Sequence, residues 1–331
     1  MRAEELPNRV PARFQLEGPA RPLGAAGGFS GARFWQIQEA GVCWGIRRWP
    51  TEHPPVSRLK WIHAVLEHAR SHGFPWLPAM RTTSTGESFI RESGFLWECS
   101  RWMPGTPALK KDTSPARIAA ALEALAIFHQ SLEDFLTGQD QQARSRAPAI
   151  ESRQAFFQSL VRGKQGEIRA RLRESDWTDL NQRAGMIVER FRESTGLLEQ
   201  QLVSAARCQV KLLPCLRDIW SEHVLFVDHE VSSFVDFGAM RIDSVAADIA
   251  RLLGSVSNAG EEKWQAGLQA YQGVRRLDDE EQELAVALEL ANRTMSGMQW
   301  LNWILLDGRQ FEDPQAVIRR LDELLSGGWK A

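Results

Sequence analysis

The chain has 331 residues, of which 43% are hydrophobic and 25% charged, the balance of a globular protein with material for a substantial buried core. Its formal net charge is −2, so the bulk electrostatics do not favour nucleic acid or an anionic membrane as the main partner. The N-terminal segment has no apolar signal-peptide region and no apolar stretch reaches membrane-spanning length, so we expect a cytoplasmic protein.

The N-terminal third of the chain predicts short strands and one helix. Residues 32–40 and 42–49 are rich in aromatic and β-branched side chains, which indicates an antiparallel hairpin. Helical periodicity covers residues 56–73, and a second hairpin is predicted over residues 88–103. A Pro-Gly pair then interrupts the pattern, so we place the domain boundary between residues 103 and 104.

The rest of the chain, residues 104–331, is predicted to be mainly helical. We expect helices over residues 114–136, 151–173, 176–206, 244–256, 259–274, 278–307 and 313–326, a loop at 137–150 and short strands between 210 and 236. The predicted fold class is therefore α+β, with a small β-rich N-lobe of residues 1–103 and a large, mainly helical C-lobe of residues 104–331.

Two carboxylates bracket a predicted hairpin in the segment "CLRDIWSEHVLFVDHEVSSFVDFGAM", residues 215–240. Strand-like runs at 224–226 and 232–237 predict the hairpin, with Asp218 and Asp236 at its open end. Antiparallel pairing is expected to bring the two carboxylates to the same edge. Carboxylates that face one cleft repel each other unless a cation or a proton intervenes. A Mg²⁺ ion holding phosphate oxygens would supply that cation, because hard cations choose carboxylate oxygen.

This pattern resembles the protein kinases and, more closely, the aminoglycoside phosphotransferase-like kinases. "LRDIWSEH" puts Asp218 at the position of the catalytic base and His223 where those kinases have a metal-binding Asn. The D-F-G motif is intact and gives Asp236 as the second metal ligand. Asp248 falls where the phosphotransferases place a structural Asp before a helix. The resemblance implies a two-lobed, protein-kinase-like fold that uses ATP with Mg²⁺ or another divalent metal.

Under this resemblance, the N-lobe supplies the nucleotide-binding residues. The glycine-rich segment 24–35 carries Gly28, Ser30 and Gly31, whose backbone amides and hydroxyl would approach the phosphates. Arg47 stands where the kinases have the lysine that grips the phosphates, with Arg48 as the alternative.

The cation on this strand needs a carboxylate partner from the following helix, and the lobes need a hinge. Glu67 is the only acidic residue of the predicted helix at 56–73 and is the candidate partner, although His63 could occupy the equivalent place. Cys99 to Met103 resembles the hinge, where backbone groups would bind the adenine edge.

His223 decides between two functional hypotheses. An imidazole prefers zinc-like or late transition metals to Mg²⁺, and His223 could ligate a metal or hydrogen-bond to Asp218. The first hypothesis is an ATP-dependent phosphotransferase, in which Asp218 deprotonates a hydroxyl of a small-molecule acceptor. The alternative is a catalytically impaired, nucleotide-binding pseudokinase or binding module on the same fold. A third reading, an unrelated helical protein with chance motif matches, predicts that Asp218 and Asp236 lie far apart.

Two further features are predicted to be structural. The acidic run at 278–283 begins a predicted helix, where it would complement the helix dipole. His129 is interpreted as a helix-packing residue. Trp220, Trp300 and Trp303 could wall an acceptor pocket, with core packing as the default reading.

Overall fold

The structure, a computed structural model, describes residues 5–25, 31–136, 144–256, 260–311 and 313–326. Its internal contacts divide the chain into two compact units. The first consists of Met1–Ala108 and Glu222–Met240, and the second of Leu109–Ser221 and Arg241–Ala331. The lobe boundary between residues 103 and 104 stays a prediction.

Among the described residues, the five strands of the largest sheet come first along the chain, and most of the helices come later. The elements up to residue 130 are α1 (Arg9–Arg13), β1 (Ala20–Gly24), β2 (Arg33–Glu39), β3 (Val42–Arg48), α2 (Val56–Ser71), β4 (Phe89–Glu92), β5 (Phe95–Arg101) and α3 (Pro115–Gln130). Those that follow are β6 (Arg144–Ser145), α4 (Pro148–Ser159), α5 (Gln165–Glu174), α6 (Thr178–Ala205), β7 (Val210–Lys211), β8 (Leu213–Cys215), β9 (Val224–Val227), β10 (Glu230–Phe234), β11 (Arg241–Asp243), α7 (Ala246–Ser255), α8 (Gly260–Val274), α9 (Asp279–Leu301) and α10 (Pro314–Ser326).

The first unit is built on a five-stranded antiparallel sheet with the order β1-β2-β3-β5-β4. Ala40 and Gly41 connect β2 to β3 with φ angles of 48° and 78°, the left-handed angles that a tight two-residue hairpin turn requires. Both predicted hairpins of this sheet are confirmed.

One face of the sheet packs into a hydrophobic core that contains Ile37 and Ile46. Val10 of α1 is buried in the same core. The sequence did not predict α1, because a helix of 5 residues is too short to show helical periodicity. Side chains alternate along a strand, so Arg47, the neighbour of Ile46 on β3, points to the opposite face.

The hairpin of β9 and β10 belongs to the first unit through main-chain hydrogen bonds. The amides of Thr106 and Phe226 each donate to the other residue's carbonyl, at 3.0 and 2.9 Å. Gly105 makes this contact possible, because its φ is 109° and a Cβ there would lie 2.7 Å from the Phe226 carbonyl oxygen. The hairpin therefore brings the D-F-G segment into the same unit as β3.

The second unit is helical, as the sequence predicts. Helix α3 packs against α8, and α9 packs against both α6 and α7. The single helix predicted over 151–173 is wrong. The structure has α4 and α5 separated by a π-helical turn, Leu160–Lys164, in which Gly163 adopts a φ of 149°. A second π-helical turn, Asn302–Leu306, follows α9.

None of the described helices combines the length and the apolar character needed to cross a bilayer.

Candidate active site

A buried carboxylate fixes the loop that carries Asp218. Asp248 of α7 is fully buried, and its carboxylate accepts hydrogen bonds from the backbone amides of Leu216 and Arg217, both at 2.6 Å. Arg217 has a φ of 68°, a left-handed conformation that costs a non-glycine residue free energy. The two bonds hold the backbone immediately before Asp218.

Asp248 is supported in turn by a buried histidine. His129 Nε2 donates to the Asp248 carboxylate at 3.1 Å, and the Tyr271 hydroxyl lies 2.8 Å from His129 Nδ1. Burial lowers the pKa of His129 by more than Asp248 raises it, so the imidazole is neutral and Nδ1 accepts from Tyr271. His129 and Tyr271 thus fix the position of Asp248, which in turn fixes the backbone of the Asp218 loop.

The side chain of Asp218 is 42% exposed and is paired with an arginine. Arg251 Nε and Nη2 lie 3.2 and 2.8 Å from Asp218 Oδ1. Arg251 is not among the residues predicted from the sequence. The available signal was its position in α7, three residues after Asp248 and so on a neighbouring part of the helix surface.

Arg47 contacts the carboxylate of the D-F-G motif. It is a buried residue, and its Nη2 lies 3.2 Å from Asp236 Oδ1. Its guanidinium carbon lies 3.5 Å from the ring centroid of Trp49, a cation–π contact that fixes the side chain. Arg47 Nε is buried and has no hydrogen-bond partner among the described residues.

Asp236 is held ionised on a strained backbone. Its φ is 62°. Partial removal from water would raise the pKa of this carboxyl, but the charges of Arg47 and His223 outweigh that effect and hold the pKa below its usual range. The carboxylate is 40% exposed, so it is open to a ligand.

The donor atoms beside Asp236 fit a divalent cation. His223 Nε2 lies 4.0 Å from Asp236 Oδ2, whereas Arg47 contacts the other carboxylate oxygen. Two ligands that each lie about 2.1 Å from one ion are separated by roughly 3 to 4 Å, so both atoms can reach one cation. A mixed imidazole and carboxylate set suits Mn²⁺, Zn²⁺ and similar ions better than Mg²⁺.

Glu67, the proposed partner of the strand cation, lies elsewhere. Its side chain is 70% exposed and pairs with Arg70 at 3.4 Å. In the sheet, the residue opposite Arg47 is Glu98 of β5. Glu98 accepts a hydrogen bond from His63 Nε2 at 3.0 Å. Of the two candidate residues on α2, His63 is therefore the one that faces Glu98.

Glu98 is held in its ionised form by His63 and Arg47. Burial would raise the pKa of its carboxyl, but the hydrogen bond and charge of His63, together with Arg47, hold that pKa below its usual range. Glu98 is not among the residues predicted from the sequence, because its proximity to Arg47 follows from the register of β3 on β5 and not from spacing along the chain.

The remaining nucleotide-binding candidates occupy varied positions. Gly28 and Ser30 lie outside the described residues, and Gly31 is exposed with a φ of 78°. Cys99 is buried within β5, and its carbonyl already accepts from the Arg81 amide at 2.8 Å. Met103 lies two residues after the end of β5 and is partly buried, so it lies beyond the strand that contains Cys99.

The two motif carboxylates belong to different units, Asp236 to the first and Asp218 to the second. The site therefore has two described parts, which are the Arg47–Asp236–His223 cluster and the Asp218 loop. The convergence of the carboxylates on one edge stays a prediction.

Comparison with known protein families identifies the family to which the chain belongs. The family model described as "Phosphotransferase enzyme family" matches residues 23–286, which is well over half of the chain and includes both parts of the site. The chain belongs to this family. Among proteins with curated descriptions, none matches the sequence.

Solved structures show the fold of this family member. An aminoglycoside phosphotransferase from Alicyclobacillus acidocaldarius aligns with a TM-score of 0.60 at 18% identity, covering 99% of this chain and 94% of that one. Spectinomycin phosphotransferase, in complex with ADP and spectinomycin, gives a TM-score of 0.65 at 11% identity over 96% and 95% of the two chains.

A third structure is that of a kinase whose name gives a different kind of substrate. Plasmodium vivax ethanolamine kinase aligns with a TM-score of 0.58 at 13% identity, over 93% of this chain and 82% of that one. At these identities the likeness concerns the fold alone. The predicted α+β, kinase-like fold with an N-terminal antiparallel sheet and a mostly helical C-terminal part is confirmed.

Proposed function

We propose that this phosphotransferase moves the γ-phosphoryl group of ATP to a hydroxyl group of a small molecule. The observation that carries the proposal is the buried guanidinium of Arg47. It contacts the D-F-G carboxylate at 3.2 Å and has a buried Nε without a partner among the described residues. Burying an unmatched N–H is costly, and a phosphate oxygen would satisfy it with a charge-assisted hydrogen bond.

Each residue of the first unit's cluster has a role in this proposal. Arg47 binds the nucleotide phosphates, to which its planar guanidinium is well suited. Asp236 Oδ2 and His223 Nε2 hold a divalent cation. When bound, such a cation neutralises charge on the phosphate oxygens.

Asp218 acts on the acceptor in the second unit. It accepts the proton of the attacking hydroxyl, and the hydrogen bonds from the Leu216 and Arg217 amides to Asp248 keep its loop in place. Arg251 contacts the Asp218 carboxylate at Oδ1, at 3.2 and 2.8 Å. The relatives support a small-molecule acceptor, since their names include spectinomycin phosphotransferase and ethanolamine kinase.

A second candidate is a nucleotide-binding protein without phosphoryl transfer. One observation favours it: an arginine binds each motif carboxylate, Arg47 on Asp236 and Arg251 on Asp218. An ion pair that must break before the carboxylate can work would slow or prevent turnover.

Phosphorus NMR separates the two candidates. The protein is incubated with ATP, Mg²⁺ or Mn²⁺, and a panel of hydroxyl compounds that includes sugars, amino alcohols and hydroxy acids. The proposal predicts ADP and a new phosphate-ester signal with at least one acceptor. Calorimetric binding of ATP with neither product across the panel would favour the second candidate.

A further inference from the structure

Three arginines of the second unit lie close enough for their charges to interact: Arg153, Arg217, which precedes Asp218, and Arg251, which pairs with Asp218. Two of them have carboxylate partners. Arg251 binds Asp218 at 2.8 Å, and Arg217 forms an ion pair with Asp243. Their charges are therefore balanced locally.

Arg153 reaches this cluster from α4. The amide of Ala149, also in α4, donates to Asp243 Oδ1 at 3.2 Å, and Arg217 pairs with the same carboxylate. Arg153 lies four residues after Ala149, one helical turn further along α4. Burial, and then the charges of Arg217 and Arg251, lower the pKa of Arg153 to about 10. It remains a cation at neutral pH.

The described partner of Arg153 is neutral. Its Nε and Nη2 donate to Asn292 Oδ1 at 3.1 and 2.6 Å, and no carboxylate among the described residues forms an ion pair with it. Asp248, another acid near the loop, is fully buried and bonded to two backbone amides and His129.

A partly buried guanidinium without a counter-charge is energetically costly. An oxyanion that binds there would offset this cost. Carboxylate and phosphate match the planar donor geometry of arginine, whereas a polycationic aminoglycoside would be repelled.

We propose that Arg153 is the anion-recognition residue of the acceptor site, and that the natural acceptor is a hydroxyl compound bearing a carboxylate or a phosphate group. The identification of the bound compound as an acceptor rests on the proposed function. Anion binding by Arg153 does not itself require turnover. It assigns a substrate class that the fold does not determine.

Three matched probes test the proposal: glycerol, glycerate and glycerol 3-phosphate. They share hydroxyl groups and differ in the anion, so the last two also distinguish a carboxylate from a phosphate site. Binding to the full chain is measured by calorimetry without nucleotide, and ATP consumption is measured separately. We expect at least one anionic probe to bind about tenfold or more tightly than glycerol, as a hydrogen bond to a charged group implies.

Variants of Arg153 and of its partner Asn292 test whether this pair forms the anion site. Arg153→Gln should remove the preference for the anionic probe. Asn292→Asp keeps an acceptor oxygen for Arg153 but supplies an internal negative charge, so it should lose the preference without loss of thermal stability. Arg169→Gln, at an exposed position of α5, makes the same charge change and should behave like wild type.

The outcomes separate this inference from the proposed function. Equal binding of the three probes by wild type, or a preference that persists in both Arg153→Gln and Asn292→Asp, would overturn the anion site. Arg153-dependent anion binding without ATP consumption would support the anion site and count against phosphotransfer. Phosphorylation of glycerol as efficient as that of both anionic probes would do the reverse.

Discussion

At the scale of residues, both motif segments hold a non-glycine residue in the left-handed region. Asp236 has a φ of 62° and Arg217, the neighbour of Asp218, one of 68°. Such conformations cost on the order of 1–3 kcal/mol each and persist where surrounding bonds impose them. Around Arg217 the imposing group is the buried Asp248 carboxylate, at 2.6 Å from each of two amides. The hydrogen bonds to Asp248 therefore fix the backbone immediately before Asp218.

The imidazole at position 223 should set the metal preference. We predict that wild type turns over faster with Mn²⁺ than with Mg²⁺, and that His223→Asn shifts the ratio toward Mg²⁺ severalfold, because an amide oxygen replaces a borderline nitrogen ligand. Steady-state rates with each metal give the ratio.

His229→Asn is the control for that experiment. It makes the same substitution at the exposed turn of the same hairpin and should keep the wild-type ratio. An unchanged ratio in His223→Asn would remove His223 from the metal site.

Neutral His129 predicts a pH dependence of stability. Its folded pKa lies below the ordinary value, which is about 6.5 for the unfolded chain. Below that pH the unfolded chain binds a proton that the folded chain does not, so the free energy of unfolding falls as pH falls, by at most about 1.4 kcal/mol per pH unit. Urea denaturation at several pH values between 7.5 and 5 measures this slope (roughly the range over which an ordinary His titrates).

The variant His129→Gln should lower stability overall but show a shallower loss on acidification. His229→Gln, on the exposed turn, should retain the wild-type slope. Parallel pH curves for wild type and His129→Gln would show that His129 is not the titrating group.

The sequence predicted some site residues and missed others for a physical reason. Asp218 and Asp236 carry a motif that is written along the chain. Glu98 and Arg251 are brought into place by strand register and helix packing, which linear spacing does not contain. Glu67 illustrates the reverse case, since the only acid on a helix still points to solvent when the packing turns His63 inward.

At the scale of elements, the presence of most helices and strands was predictable from the sequence, but their first and last residues were less so. The helix predicted to reach residue 136 ends at Gln130, where the hydroxyl of Ser131 donates to the Phe128 carbonyl at 2.7 Å and competes with the helical ladder. Helix α4 begins at Pro148, earlier than predicted, since proline suits the first helical turn. The π-helical turn at Gly163 has no signal in hydrophobic periodicity.

The acidic run at the start of α9 acts as a helix cap, in line with its predicted helix-start role. The Asp278 carboxylate accepts from the Glu281 amide at 2.8 Å, and Glu281 accepts from the Asp278 amide at 3.2 Å. This reciprocal pair is a capping box. It satisfies two amides that have no partner within the helix.

Removal of this cap should cost measurable stability. We predict that Asp278→Ala lowers the free energy of unfolding by about 1 kcal/mol, measured by chemical denaturation. The exposed ion pair of Asp278 with Arg144 adds little to this value. Asp279→Ala changes the charge at the next position without removing the cap bond and should cost less than half as much. Equal losses in the two variants would mean that charge near the helix dipole, and not the cap, is responsible.

At the scale of the whole molecule, the two motif carboxylates belong to two different units of the chain. The first unit is discontinuous in sequence, because residues 222–240 join residues 1–108. Gly105 is central to that joining, since its contact with the Phe226 carbonyl leaves no room for a Cβ. The D-F-G carboxylate and the arginine of β3 are thereby held in one compact unit, about 190 residues apart along the chain.

The two units should contribute separable parts of the function. The cluster of Arg47, Asp236 and His223 binds nucleotide and metal in our account, and Asp218 supplies the base for transfer. A variant in the first unit should lose binding and turnover together, whereas a variant at the base should lose turnover alone.

The most direct test compares Asp236→Asn with Asp218→Asn, using calorimetry for metal–ATP affinity and phosphate-ester formation for turnover. The account predicts that Asp218→Asn binds metal–ATP within about threefold of wild type but turns over roughly 10²–10⁴-fold more slowly, while Asp236→Asn loses both. Full turnover by Asp218→Asn, or unchanged metal–ATP affinity in Asp236→Asn, would contradict it.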